Sequence, residues 1–534
     1  MTLGVVGLMT LVGSAPALAA SQDGDSFWTT FTPSADTRLI FVSDSEGSDS
    51  NSGLTPATPV KSLERGVELL RDGYPDWLLL KRGDTWTQTF PYWSKSGRSE
   101  DEMMIVGAYG DGGGRPQIRT GPGTVGIRSQ GNTETAHVAF VGLHLEPLQR
   151  SEDDSTSGVV WYRRSQNILF EDLMVRGFAV NFNIQSLGGS APVEDIRLNG
   201  CVVVDAWSKQ GHSQGLFAKN LNGLTIENCV FASNGFSAEH DDPPTIFNHN
   251  MYIQTTNENI VVRSNIIADA SSHGIQLRSG GVLEDNLFIS NPISMLVGGG
   301  DNPVPGGVWV SVRRNMAMYG RGISSTLPRS FGLDGSNLRE GVIADNIFYM
   351  SEIGYNGNVM TLSDQRSHGL TNLTVERNSV IDWHGTFAVG APGPDQTYSN
   401  ISIRNNFFNR DLTANDGNGN FNKSLIRVYQ GYGPEVSVSD NQYRYYGMHN
   451  RPFEVGGADL TVDEWSSQVE PSGTYTALDT PPAGVGLDRY LAHIGRAGGM
   501  EEFVAAARAR SRQNSDPAIS PGAVYQWASQ RLAD

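Results

Sequence analysis

The chain is poor in cysteine, in basic residues and in helical periodicity. Only two cysteines, Cys201 and Cys229, occur in 534 residues, so no disulfide framework can hold the fold together. Basic residues number 39 against 57 acidic ones, a net charge of -18, which argues against nucleic acid or an anionic membrane as partner. An acidic polysaccharide stays open, because a local basic strip can sit on an acidic body. Apart from residues 3–20, no stretch approaches the ~20 apolar residues of a membrane span. Between the strand-like segments there is no helical run of 10 to 15 residues, which argues against crossover helices and hence against a doubly wound sheet.

Glycine is plentiful, at 62 residues, and a short pattern recurs. It is an aliphatic or β-branched residue, two mostly polar residues, a small amide or thiol, then a mostly hydrophobic pair. Clear copies are Ile226-Glu-Asn-Cys-Val-Phe231, Leu283-Glu-Asp-Asn-Leu-Phe288, Ile343-Ala-Asp-Asn-Ile-Phe348 and Ile403-Arg-Asn-Asn-Phe-Phe408. Aligned on the fourth position the series is Leu143, Leu173, Cys201, Cys229, Asn265, Asn286, Asn315, Asn346, Asn378, Asn406 and Asn441, with steps of 21 to 36 residues. Such a period marks a solenoid in which each unit buries its apolar face only against its neighbours. Units such as Gly215-Leu-Phe-Ala, Leu224-Thr-Ile and Cys229-Val-Phe alternate at period two and are separated by turn residues, so they are half-buried strands. The expected fold is all-β: a right-handed parallel β-helix of about eleven or twelve coils, with an N-terminal capping helix and a small helical C-terminal cap. Asn recurs at one corner because its amide can bond the backbone and the amide of the next coil. Cys201 and Cys229 fall at that position in consecutive coils. They should be stacked and buried, as a thiol pair or, if the protein is exported, a disulfide.

Four regions follow. Residues 1–20 form an apolar stretch ending in Ala17-Leu18-Ala19, which reads as a signal peptide and implies a secreted protein. Residues 26–76 hold a strand, Leu39-Ile-Phe-Val-Ser43, a polar loop from Asp44 to Gly53 and an amphipathic helix from Pro59 to Arg71 that would close the coil's open end. Residues 77–445 are the coil itself, and residues 446–534 a helical cap. The Phe41-Val-Ser43 start, the polar loop, the capping helix and Leu80-Lys-Arg-Gly-Asp-Thr-Trp86 together resemble the opening of secreted right-handed parallel β-helix proteins of the pectate-lyase-like superfamily. The resemblance covers about residues 38 to 445. It implies the fold strongly and the reaction weakly, since that superfamily includes polysaccharide lyases, glycoside hydrolases, epimerases and adhesins.

The long 36-residue step between Cys229 and Asn265 marks an insertion, and insertions at the corners of a rigid coil are where binding loops grow. It carries Glu239, His240, Asp241 and Asp242 and leads into the strand from His249. The strand of the next coil begins at His273. Parity points Met251, Ile253, Ile275 and Leu277 inward, and Asn250, Tyr252, Gln276 and Arg278 outward beside Phe217 and Lys219. His249 and His273 should stack at one corner. Trp161 and Arg163 would extend the surface, with Trp161 stacking on sugar, and His212 and His240 would edge it; His384 is more remote.

These residue types suit β-elimination on a uronic-acid polysaccharide. His249 would be the base, Tyr252 the acid, and Arg278 with Lys219 would hold the carboxylate, with His273 orienting His249. The histidine-base version uses no cofactor, whereas a calcium-dependent version would take Lys219 or Arg278 as base and draw ligands from Glu239, Asp241 and Asp242. The alternatives are glycoside hydrolysis using the insert carboxylates or Asp269, C5-epimerisation, and non-catalytic carbohydrate binding. A monomer acting on an acidic polymer is expected.

Overall fold

A computed structural model describes residues 27–533 apart from 130–133, 153, 163, 188–192, 353–356, 366–367, 391–396, 413–423, 430–434, 448–449 and 481–483. The N-terminal stretch 1–20 and Arg163 thus lie outside the described residues. The chain is a right-handed parallel β-helix with three long sheets of 14, 14 and 13 strands. Each coil contributes one strand to each sheet, and like positions stack in register, as Leu224↔Ile260 and Val230↔Ile266 illustrate. The coil reaches beyond residues 77 and 445. Leu39–Val42 already pairs in register with Trp77–Lys81, and Thr474–Leu478 pairs with Gln442–Tyr446. No helix among the described residues is long and apolar enough to cross a membrane.

The recurrent hexapeptide is the corner between the first and second sheets. In each of its eleven copies the residue before the aligned position has a positive φ, from 51° at Arg314 to 70° at Gly142. One left-handed residue turns the chain sharply, which explains the Asn, Asp and Gly found there. The aligned asparagines then form a buried ladder. The backbone N–H and Nδ2 of Asn286 both donate to Oδ1 of Asn315, at 3.1 and 2.9 Å, while Nδ2 also reaches the Val262 carbonyl. The pattern repeats through Asn346, Asn378 and Asn406 to Asn441. The ladder ends on Glu470, whose Oε1 accepts from both the N–H and Nδ2 of Asn441 and whose Oε2 accepts from Tyr443. Cys201 and Cys229 replace two rungs: both are free, buried thiols, and the N–H of Cys201 donates to the Cys229 sulfur at 3.3 Å.

Helix Leu63–Leu69, capped by Ser62, closes the N-terminal end by burying Leu63 and Val67. At the other end helix Val462–Gln468 places Trp465 on Phe453, 4.7 Å between ring centres. The remaining three helices do not cap an end. Leu487–His493, Met500–Arg508 and Pro521–Ala533 lie along the outer face of the second sheet, where Tyr490, Phe503, Val524 and Trp527 pack on Val230, Ala232, Ile266, Leu287 and Met316. The cause is local. Those strands, such as Val202–Val204 and Ile266–Ala268, are apolar on both faces and so need a cover. Arg508 fastens the tail to Asp205 at 2.6 Å, and Arg512 reaches Glu171 at 3.1 Å.

Candidate functional site

Among the described residues the C-terminal helices pack on the second sheet and leave the outer face of the third uncovered. Its strands His249–Ile253 and His273–Leu277 pair with His249 opposite His273 and Tyr252 opposite Gln276. Met251, Ile253, Ile275 and Leu277 are fully buried in the coil, as parity requires. On the other side Tyr252 stands between Phe217 of the previous coil and Arg278 of the next, 5.7 and 5.8 Å away. Register continues this outward row through Leu296 to Asp334.

The two histidines meet at the corner as expected. Their rings cross edge to face, 4.7 Å apart, with Nδ1 to Nδ1 at 3.1 Å. The Ser272 hydroxyl is 2.9 Å from each Nδ1. A short relay sets the proton positions. Arg278 Nε can only donate, and it donates to Gln276 Oε1 at 3.0 Å. Gln276 therefore turns its amide nitrogen toward His273 Nδ1, 3.3 Å away, which must accept. The Nδ1 proton of the facing pair then belongs to His249, and His249 Nε2 is left with the lone pair. Burial keeps both rings neutral. It lowers the His249 pKa well below the ordinary value, helped by the charges of His273 and Arg278, and it lowers His273 to about 3, helped by Arg278 and Arg329.

Asp334 was not anticipated. Burial pushes its carboxyl up to about 6, against the opposing pull of Arg278 and Arg329. The signal was present: Leu333 and Asp334 repeat the in–out phase of Ile275 and Gln276, but variable loops at residues 299–307 and 321–330 hid the alignment. Gly300 presses close to Arg278. A Cβ there would lie 2.7 Å from the guanidinium, so a side chain would displace it.

Several expected members lie elsewhere. Trp161 is not an exposed stacking surface but fully buried; it pairs with the inward Ile184, packs on Phe140 and Phe170, and donates to Ser165 at 2.9 Å. The phase is one residue off the one read from the sequence, and Tyr162 is more exposed in its place. Asn250 does not face outward. At the strand's first turn its Oδ1 accepts from Asn234 and its Nδ2 donates to the Ala268 carbonyl, forming a second ladder with Asn181. Alternation begins only at Met251. His240 stacks on Trp207 at 4.1 Å, above Arg150, in a separate pocket with Arg119 and Glu146. His212 does approach the site, edge-on to Phe247 at 5.6 Å. Lys219 is exposed two coils before Arg278 on the same row, about 10 Å away by strand spacing. His384 follows the second-sheet strand Ser379–Ile381, four coils beyond His273.

The insert carboxylates do not converge. Glu239 and Asp241 are exposed, whereas Asp242 is buried and accepts from the Ser208 N–H at 3.0 Å. Asp269 pairs with Arg321 at 2.9 Å. Among the described residues no group of three or more His, Cys, Asp or Glu is arranged to hold a metal ion.

A family described as the right handed beta helix region matches residues 153–320. No curated protein is significantly similar in sequence. Among solved structures, the chain is similar to a GH136 lacto-N-biosidase from Eubacterium ramulus, at 12% identity over 76% of this chain and 67% of that one, TM-score 0.40. It is also similar to a tailspike from an Acinetobacter baumannii bacteriophage, a capsular polysaccharide depolymerase, at 10% identity over 84% and 65%, TM-score 0.36. A third is the A-module of a mannuronan C-5 epimerase from Azotobacter vinelandii, at 10% identity over 71% and 91%, TM-score 0.28.

Proposed function

We propose that this protein is an exported enzyme that cleaves a uronate-containing polysaccharide by β-elimination on the outer face of the third sheet. The observation that carries the reading is the Arg278–Gln276–His273–His249 relay, which leaves an unprotonated Nε2 on His249 beside a cation and a tyrosine. The substrate carboxylate would bind Arg278, with Arg329 nearby, and its neutralisation would acidify the C5 proton. His249 Nε2 takes that proton. The freed electron pair becomes the C4–C5 double bond, and the glycosidic oxygen on C4 leaves with its bonding pair. Tyr252, 5.3 Å from the His249 ring centre to centre, protonates the leaving oxygen and regains its proton through solvent from the imidazolium. Negative charge growing on the substrate offsets the cost of the buried imidazolium.

A second reading rests on Asp334. A carboxyl raised to about 6 on an outward row is what a general acid in glycoside hydrolysis requires, and it replaces the insert carboxylates in that role. Incubation with polygalacturonate, alginate, a glucuronate polymer and neutral glycans separates the readings. Elimination raises ultraviolet absorbance and reducing ends together on a polyuronide. Reducing ends without absorbance would replace the lyase reading by hydrolysis.

A further inference from the structure

On the N-terminal side of the histidine pair, the same outward row carries a concavity of about 710 Å³. The row runs Arg128, Val160, Asn183, Phe217, Tyr252 in strict register, so Arg128 lies four coils, about 19 Å, from Tyr252. Arg128, Asp154, Thr156, Tyr162 and Asn183 line this concavity. We infer that it is a distal subsite for a further uronate unit of the same polysaccharide chain, so that the enzyme grips an extended polymer rather than a short end.

Three observations support the assignment. Tyr92 is 58% exposed, yet its ring is held under the Arg128 guanidinium at 4.7 Å and its hydroxyl accepts from Nη1 at 3.2 Å. A fixed, exposed aromatic ring beside a cation offers a sugar one face to stack on and its carboxylate one partner. The polar groups are pre-set: Gln185 donates to Asn183 Oδ1 at 2.8 Å, and Asn183 donates to the Tyr162 hydroxyl at 3.1 Å, leaving that hydroxyl's own proton for a ligand. Finally, Asp154 is only 8% exposed; its Oδ1 accepts from the Thr156 N–H at 2.8 Å, but its Oδ2 receives no hydrogen bond from a described residue. A buried carboxylate oxygen without a donor is costly unless a hydroxyl arrives to satisfy it. Phe217 lies on the row between Asn183 and Tyr252 and adds an apolar surface there.

The inference rests on the uronate reading of the histidine site, and one titration series tells their failures apart. Uronate oligomers from dimer to hexamer, prepared from polygalacturonate and from alginate, are titrated calorimetrically into the His249→Ala protein, whose turnover is slowed about 10²-fold so that binding heats precede cleavage. Affinity should rise with length by about tenfold or more, and Arg128→Ala, Tyr92→Ala or Asp154→Asn added to that background should each remove most of the rise. Binding that is independent of length, or a length gain untouched by all three substitutions, overturns the distal subsite while leaving the histidine site intact. No binding of any uronate oligomer, with neutral oligosaccharides bound instead, overturns both.

Discussion

The outer faces of the second and third sheets are built from the same coils and meet opposite fates. On the second, outward residues such as Val230, Ile266, Leu287 and Met316 are aliphatic, and the chain spends its last helices covering them. On the third, the outward row offers Asn183, Phe217, Tyr252, Gln276 and Asp334, and among the described residues no helix makes comparable contact with its strands. The inner faces of both are equally apolar and equally buried. Fold and chemistry are therefore separable in this molecule. Inward positions make the coil, and outward positions decide whether a face becomes scaffold or site.

That division predicts that damage to the two faces differs in kind. The largest effect should come from the covered face. Phe503→Ala opens a cavity beneath the tail and should cost about 3–5 kcal/mol, read from denaturant unfolding, with turnover per folded molecule unchanged. Should the loss be under a kilocalorie, the tail would not be part of the folded scaffold. On the open face His249→Ala and Tyr252→Phe should each lower kcat by about 10²-fold while Tm moves little. Near-normal kcat in both would shift the chemistry to Asp334.

A subtler variant sharpens the open face alone. Gln276→Glu presents an acceptor to His273 Nδ1, which then has to carry the proton. The pair reverses, His249 Nε2 becomes protonated, and turnover should fall on the order of tenfold. Nitrogen chemical shifts of the labelled histidines check the reversal directly, since a merely structural role would leave them in place.

The smallest effect is on acid stability. His249 and His273 have folded pKa values below the unfolded one of about 6.5, so the unfolded chain binds more protons as pH falls. Their contribution is complete above pH 6.5 and is lost progressively toward pH 3. Asp334 acts with the opposite sign: its folded pKa of about 6 exceeds the unfolded value of 3.8, so it favours folding as pH falls through that window. Two groups oppose one, and net stability should decline on acidification. The decline should be steeper in Asp334→Asn and shallower in His273→Asn, as thermal unfolding across that range would record.

The inner half of the structure was legible in the sequence because it is repetitive. Asn286 to Asn406 declared the corner, and each rung obeys the same hydrogen-bond rule. Three parts were not legible for identifiable reasons. The destination of the tail was hidden because strands apolar on both faces, such as Ile266–Ala268, look like ordinary core segments until the sheets are assembled. Asn250 was misplaced because parity fails within a residue or two of a corner, where the backbone turns and the period-two rule does not yet apply. Trp161 was misplaced because the phase of its strand was read one residue off, although it keeps the period-two rule opposite the inward Ile184. Asp334 escaped because two uneven loops separate it from the rows it extends.

The most direct test is the mass of what the enzyme releases. A defined uronate oligomer is digested to a single cut, and the masses of the two fragments are added. Elimination predicts a sum equal to the intact oligomer, with the double bond on the fragment that retains C4, and cutting about 10²-fold slower by His249→Ala. A sum exceeding the oligomer by one water would contradict the account, because the bond would then have been hydrolysed and the relay would not serve a base.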